Sequence, residues 1–178
     1  MGFAAFAVFT LFWTGLTFLL SSAPYDYFLS QTGLVGLVGL AGAVIAKRAG
    51  WLHDSGHSVA GTAGALVMAI VALALATVGV HHIGVILASV LLLDIAVQTM
   101  GVLNQTRLLS LSAENRSRIN TAYVTCNFIG GALGSALAGT LWNAHGWMLL
   151  MACATALTIF SLLLCLFFRQ ILSIDARR

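Results

Sequence analysis

Three polar side chains interrupt one long apolar stretch and carry groups that can exchange a proton or bind a solute. Asp94 is the twelfth of the 21 residues in the run from Ile83 to Leu103. Gln98 follows it four residues later and Gln105 eleven residues later, so on a helix all three lie along one face. A carboxyl group in line with two amides can bind a proton, a cation or a hydrogen-bonding solute.

The depth of Asp94 in this run makes a charged side chain energetically unfavourable in a membrane. The run is long enough to cross a bilayer as a helix, and a charged carboxylate at the centre of such a helix costs about 2.5 to 3.5 kcal/mol. Such a residue usually faces a bundle interior or a water-filled cavity. Two interpretations stay open, namely a proton or solute site and a structural polar group that hydrogen-bonds a neighbouring helix.

The composition indicates which elements hold these side chains. The 178 residues are 60% hydrophobic and 7% charged, whereas about a quarter of the residues in a soluble domain are charged. We therefore expect an integral membrane protein whose main partner is the lipid bilayer. The net charge of +3 comes from basic residues scattered between apolar segments, so no nucleic-acid surface is predicted.

Six apolar runs of 18 to 23 residues follow one another along the chain. Each has about the 20 residues that a helix needs to cross the hydrocarbon core, and lipid offers no partners to an unpaired backbone. The predicted fold is therefore all-α, with six transmembrane helices. The predicted spans are residues 3–20, 28–46, 59–80, 83–103, 119–141 and 147–168, followed by a cytoplasmic tail at 169–178.

All eight basic residues fall in the three segments that follow the second, fourth and sixth runs. The positive-inside rule places those segments in the cytoplasm. We therefore expect a protein of the inner or plasma membrane with both termini in the cytoplasm. The first run has no signal-peptide features, so we expect a membrane span and not a removed leader. It also lacks the basic residues that should flank a cytoplasmic N-terminus, and we therefore expect the chain to be a fragment. The basic residues are Lys47, Arg48, Arg107, Arg116, Arg118, Arg169, Arg177 and Arg178.

Two of the predicted helices carry rows of small residues, which let another helix approach closely. Static packing and a sliding interface are both compatible with such rows. On the second helix the row is Gly33, Gly36, Gly39 and Gly42, and on the fifth the rows are formed by Gly130, Gly131, Gly134, Ser135 and Gly139. Just before them, Asn120, Tyr123 and Asn127 share one face of the fifth helix.

The histidines do not predict a metal site. His53 and His57 flank Asp54 in a short loop, and the other three histidines lie at the opposite membrane face, so neither group offers a third and fourth ligand. The sequence has no phosphate-binding loop and no GxSxG or HExxH motif. We expect no cofactor and no enzymatic activity.

The loop after the second predicted helix resembles a motif of major facilitator transporters. Residues 50–57, GWLHDSGH, are similar to the G-x-L-A-D-R-x-G-R loop of that family and keep Gly50, Asp54 and Gly56. Ser55 stands where a basic residue is usual, and the loop is one residue shorter, which weakens the gate contact that the motif implies.

The fourth loop and the fifth helix resemble the same family more closely, in particular the tenth to twelfth helices of bacterial efflux members. The resemblance covers essentially the whole chain. It implies the C-terminal half of a twelve-helix carrier from the drug or sugar efflux, proton-antiport branch. The residues that carry it are Asp94, Gln98, Asn104, Gln105, Arg116, Arg118, Asn120, Tyr123, the run from Phe128 to Ser135, and Gly146 with Trp147.

This resemblance also implies roles for the helices. The first and fourth would line a central cavity for a small solute and possible protons. The second and fifth would pack against a missing N-terminal half or a second copy. The cavity candidates are Asp94, Gln98, Gln105 and Asn127, and the cytoplasmic gate candidates are Gly50, Asp54, Gly56, Arg116, Arg118 and Asn120.

Two other functions stay open from the residues alone. One is a truncated, non-transporting remnant or membrane interaction module, in which the polar residues only pack. The other is a membrane enzyme, which ranks last because no catalytic motif is present.

Overall fold

The apolar runs form helices, as expected for segments whose backbone must satisfy its own hydrogen bonds. A computed structural model describes residues 2–46, 58–110 and 115–168, and in these ranges the chain is all-helical, which confirms the predicted class. The helices are α1 (Gly2–Leu20), α2 (Leu29–Ala46), α3 (Ser58–Val78), α4 (Ile83–Ser110) and α5 (Arg116–Phe167).

Four helices of the described part, α1, α3, α4 and α5, are long and apolar enough to cross a membrane. The chain is therefore a multi-pass membrane protein. α2 has 18 residues and occupies the position of the second predicted span, and its crossing of the membrane stays a prediction. Residues 47–57 and the tail at 169–178 lie outside the described residues, and so do Gly50, Asp54, Gly56, His53 and His57.

The fourth helix is longer than the sequence pattern predicts. The apolar run ends at Leu103, but α4 continues to Ser110, because no glycine or proline interrupts the segment after Gly101. This extension places Arg107 inside a helix, whereas the sequence pattern assigns it to a connecting loop. Arg107 is also buried, so it belongs to the bundle interior.

The fifth and sixth predicted helices are separated by a two-residue break in α5. His145 (φ −145°, ψ 20°) and Gly146 (φ 63°, ψ −150°) have non-helical backbone angles, and the angles of Gly146 are accessible almost exclusively to glycine. An unbroken helix of 52 residues would extend about 78 Å, more than twice the thickness of the hydrocarbon core. The break divides α5 into α5a (residues 116–144) and α5b (residues 147–167).

The segment α5b runs back along α5a. Leu164 and Phe168, at the end of α5b, line the same cavity as Ile119 near the start of α5a. Gly2 of α1 and Arg107 of α4 line it too, so these helix ends meet at one end of the bundle, which we call the basic end. At the opposite end the indole Nε1 of Trp147 donates to the Ala76 carbonyl at 2.9 Å.

A hydrogen bond joins two connections at that opposite end. The hydroxyl of Tyr25, between α1 and α2, donates to the Val80 carbonyl, between α3 and α4, at 3.0 Å. Burial, followed by the neighbouring Tyr27, raises the pKa of the Tyr25 phenol above its ordinary value. The hydroxyl therefore stays protonated at neutral pH and remains a donor.

The glycine row of α5a lies against α1 of the same chain. A Cβ atom on Gly130 would meet the Phe3 carbonyl, and one on Gly134 would meet the Ala7 carbonyl. The resemblance implies that this helix packs against a second half, whereas the structure covers these glycines with α1. Absence of a side chain lets the two backbones approach closely, and van der Waals contact then holds the helices together in lipid.

Hydroxyl groups reinforce this close packing of α1 on α5a. Thr10 Oγ1 donates to the Gly131 carbonyl at 2.8 Å, and the hydroxyls of Thr14 and Ser135 lie 3.1 Å apart. Gly139, one turn beyond Ser135, has nothing within 4 Å of the position of a Cβ. Gly139 therefore lies off the face of α5a that packs on α1, and that contact continues past it to Trp142, whose ring centroid lies 5.6 Å from that of Phe18.

The glycine row of α2 is open at Gly33 and Gly36. Gly33 and Gly36 have nothing within 4 Å of the position of a Cβ atom, whereas Gly39 lies against Asp94 and Trp13. Gly42 lies in the same helix. The row therefore has one member at a buried polar group and at least two that face no described neighbour.

Candidate functional site

Asp94 lies in the bundle interior, enclosed by three helices. Its side chain is 4% exposed. Trp13 Nε1, from α1, donates to Asp94 Oδ1 at 3.2 Å, and Gly39, from α2, lies so close to Oδ2 that any side chain there would collide with it. Glycine at position 39 therefore makes room for the carboxyl group.

The hydrogen-bonding capacity of Asp94 is only partly used by the described residues. A carboxylate offers about four acceptor positions, and Trp13 is the donor that the described part of the chain provides. No described basic side chain forms an ion pair with it. A carboxyl group in this environment is suited to holding a proton, because the neutral form needs fewer partners in an apolar interior.

Gln98, Gln105 and Asn127 line one cavity of about 320 Å³ between α1, α4 and α5a. Both glutamines are exposed to this space. Phe6 and Phe9 of α1, whose ring centroids lie 5.8 Å apart, form part of its apolar wall. Three amides beside aromatic rings can hold an organic molecule that has both apolar surface and hydrogen-bonding groups.

Two hydrogen bonds join α4 to α5a along this cavity. Gln105 Nε2 donates to Asn120 Oδ1 at 2.8 Å, and the Tyr123 hydroxyl donates to the Gly101 carbonyl at 3.4 Å. Asn120, a gate candidate, thus contacts a cavity candidate directly. Arg116 and Arg118 are exposed at the start of α5a, and the loop that they were expected to meet lies outside the described residues.

The polar residues of α4 therefore lie in two different environments. Asp94 faces α1 and α2, whereas Gln98 and Gln105 face the cavity beside α5a. Eleven residues of helix separate Asp94 from Gln105 by about 16 Å along the axis, and the neighbouring helices change over that length. The structure brings the amides together and places the carboxyl group outside their cavity.

A second cavity, of about 700 Å³, lies at the basic end and includes two residues that the sequence pattern did not mark as a site. Asn104 and Arg107 of α4 are 7% and 9% exposed. Arg107 Nη2 donates to Ser58 Oγ at 2.8 Å and to Thr62 Oγ1 at 3.2 Å. The available signal was the i, i+3 spacing of an amide and a guanidinium group directly after an apolar run.

This second cavity adjoins the first. Tyr123 and Asn127 line both cavities, so these two side chains form part of the wall between them. Asn127 Oδ1 is buried and has no hydrogen-bond partner among the described residues. Asn127 therefore lies at the boundary of the two cavities, with an acceptor that the described residues leave unused.

The chain is similar to proteins named as transporters. It is 32% identical over 147 residues to "Uncharacterized transporter YgaY" of Escherichia coli O157:H7. The matched region covers 83% of the chain and 37% of the relative. It is 35% identical over 136 residues to "Probable transporter SCO4007" of Streptomyces coelicolor. Here the matched region covers 76% of the chain and 31% of the relative. The matched part thus spans about a third of each curated relative, at 37% and 31%.

No family model matches the chain, and no solved structure matches it.

Proposed function

We propose that the chain is one six-helix half of a twelve-helix transporter of the major facilitator type, and that the complete carrier exports a small organic solute in exchange for protons. The observation that carries the proposal is a buried carboxyl group, Asp94, on the same membrane helix as an amide-lined cavity. The relatives named as transporters support a role in transport. In this proposal all six apolar runs cross an inner membrane and both termini are cytoplasmic.

Asp94 serves as the proton site in this proposal. When Asp94 loses its proton, a negative charge remains between α1, α2 and α4, beside Gly39, which has no side chain to shield it. A buried charge favours an arrangement that admits water or polar partners, and a neutral carboxyl group favours the closed packing. Protonation thereby biases the relative positions of the helices that contact Trp13 and Gly39.

The solute site is the cavity of Gln98, Gln105 and Asn127. The amides offer donors and acceptors, and the phenylalanines of α1 offer apolar surface. Such a lining suits a drug-like or sugar-like molecule that is neutral or carries few charges. Since Gln98 lies one helical turn from Asp94, a shift of α4 on protonation would also move the cavity wall.

Alternating access needs a second set of helices against which this bundle can rock. The open glycines of α2 are the proposed contact surface, because Gly33 and Gly36 face no described neighbour. A second half is the proposed partner, and a second copy of this chain is the other candidate. The residues Gly50, Asp54, Gly56, Arg116, Arg118 and Asn120 are the proposed cytoplasmic contacts between halves.

Transport by an Asp94→Asn variant tests this function. The chain would be co-expressed with the N-terminal part of a full-length relative, and efflux of ethidium and of a fluorescent sugar analogue measured in vesicles that carry a pH gradient. Asp94→Asn keeps the shape but cannot exchange a proton, so we expect pH-driven efflux to fall to background. Asp26→Asn, an exposed acid between helices, is the matched control.

Unchanged pH-driven efflux in Asp94→Asn, with Asp26→Asn also unchanged, would remove Asp94 from the mechanism. A chain that neither associates with a second half nor supports efflux would favour the truncated, non-transporting remnant, in which the buried polar groups only stabilise the bundle.

A further inference from the structure

We propose that the cavity at the basic end binds an amphipathic organic anion, with its carboxylate or phosphate group at Arg107 and Asn104 and its apolar part along the remaining wall. The cavity has a volume of about 700 Å³, within the usual range of small-molecule sites. Binding there requires no transport, so it can be tested on this chain alone.

Arg107 is a buried cation without a described counter-charge. Its guanidinium group donates to the hydroxyls of Ser58 and Thr62, and neither hydroxyl carries charge. No carboxylate within residues 2–46, 58–110 and 115–168 forms an ion pair with it. Burying a charge without an opposite partner is costly, and an anion in the adjoining cavity would offset that cost.

Two hydrogen-bond donors at the cavity are unused. Arg107 Nε and Asn104 Nδ2 are buried, and neither has a hydrogen-bond partner among the described residues. Both residues line the cavity and are nine-tenths or more buried, and their i, i+3 spacing places them on one face of α4. A positive charge with two N–H donors on one helix face suits the paired oxygens of a carboxylate or phosphate.

The rest of the cavity wall is mainly apolar. Phe3, Leu108, Ile119 and Leu164 contribute side chains from four helical segments. Inorganic phosphate would leave this surface uncovered, whereas a molecule with a hydrocarbon part would cover it. The same chemistry occurs in a free amphipathic solute and in an anionic phospholipid, and the experiments below separate these two sources.

The preference for anions can be measured on the wild-type chain in detergent. Isothermal titration would compare octyl phosphate and octanoate with octanol and octylamine, which share the same hydrocarbon part. Charge-assisted hydrogen bonds to a buried guanidinium group should make the anions bind about tenfold or more tightly than octanol. Equal binding of octanol, or tighter binding of octylamine, would overturn the proposal.

Substitutions at the cavity locate the anion. Arg107→Gln should abolish the preference for octyl phosphate over octanol, whereas Arg118→Gln removes the same charge from an exposed position that does not line the cavity. An equal loss in both variants would assign the preference to overall charge and overturn the site. Wild-type affinity in Arg107→Gln would overturn it as well.

Asn104→Leu is the second variant, in case Arg107→Gln does not fold. It removes one unused donor without a change of charge. We expect weaker binding of octyl phosphate, by roughly three- to tenfold for one lost hydrogen bond, and unchanged binding of octanol. Full affinity for octyl phosphate in Asn104→Leu would contradict the proposed geometry.

Native mass spectrometry distinguishes the source of the anion. The chain would be released from nanodiscs of phosphatidylglycerol or of phosphatidylcholine. Retention of phosphatidylglycerol by the wild type and its loss in Arg107→Gln would identify a membrane lipid. Binding of octyl phosphate without retained lipid would identify a free solute, and binding of neither would overturn the proposal.

Discussion

The pair formed by Trp13 and Asp94 shows how one side chain makes another tolerable in the membrane. The indole of Trp13 provides the hydrogen-bond donor that the described residues offer to the carboxyl group. Its ring also continues an aromatic series along α1, with Phe9 at a centroid distance of 6.2 Å. Trp13 therefore contributes both packing and a polar contact, and substitution by phenylalanine separates the two.

We expect Trp13→Phe to destabilise the chain by about 1 to 3 kcal/mol, because it leaves a buried acceptor without its donor. Unfolding by a denaturing detergent would measure this loss. Trp142→Phe is the matched control, since Trp142 packs on Phe18 at 5.6 Å and its indole has no hydrogen bond among the described residues. Equal losses in both variants would show that the hydrogen bond contributes no stability.

The packing of α1 on α5a depends on where glycines fall along one helix. Gly130 and Gly134 lie under the backbone of α1, whereas Gly139, on the same helix, has open space around it. Within a helix, glycine is less favourable than alanine by about 0.5 to 1 kcal/mol. The close approach of two backbones therefore carries an intrinsic cost at Gly134 that packing offsets.

Alanine substitutions at these glycines should have opposite effects. Gly134→Ala places a methyl group against the Ala7 carbonyl and the Thr10 hydroxyl, so we expect a loss of about 1 to 3 kcal/mol of stability. Gly139→Ala should raise stability by about 0.5 to 1 kcal/mol, since nothing obstructs the methyl group. Thermal unfolding in detergent would compare them, and changes of the same sign would contradict the described contact.

The bundle as a whole leaves the first part of α2 largely uncovered by other described helices. Phe28, Leu34 and Leu37, in or next to α2, are 76%, 63% and 62% exposed, and Gly33 and Gly36 lie beside them with no neighbour in reach of a Cβ. In a membrane, exposed apolar side chains can face lipid, so exposure alone does not require a protein partner. The open glycines are more specific, because small residues are enriched where helices meet.

Association with a second half should therefore depend on Gly36. Gly36→Leu would fill the open row of α2, and we expect it to reduce co-purification with the N-terminal part of a full-length relative. Gly64→Leu, on α3, is the matched control, since Gly64 also has nothing within 4 Å of a Cβ but lies in no predicted partner row. Equal co-purification of both variants would show that α2 is not the contact surface.

The helical class and the approximate positions of α1, α2 and α3 follow from the sequence alone, because backbone hydrogen bonds in lipid must be made within each apolar segment. Asp94 also stands out in the sequence, since a carboxyl group is rare at that depth. The environment of each polar residue was not predictable in the same way. It depends on which helices come together from distant parts of the chain.

Asp94, Gln98 and Gln105 illustrate this difference. Helical periodicity places them on one face, but the packing of α1 and α2 encloses the carboxyl group while α5a leaves a cavity at the amides. Arg107 looked like a loop residue because charge marks the end of an apolar run, yet two hydroxyls of α3 hold it inside the bundle. The helices can be predicted from the sequence because their backbone hydrogen bonds are local. The burial of each polar group depends instead on how the helices assemble into the bundle.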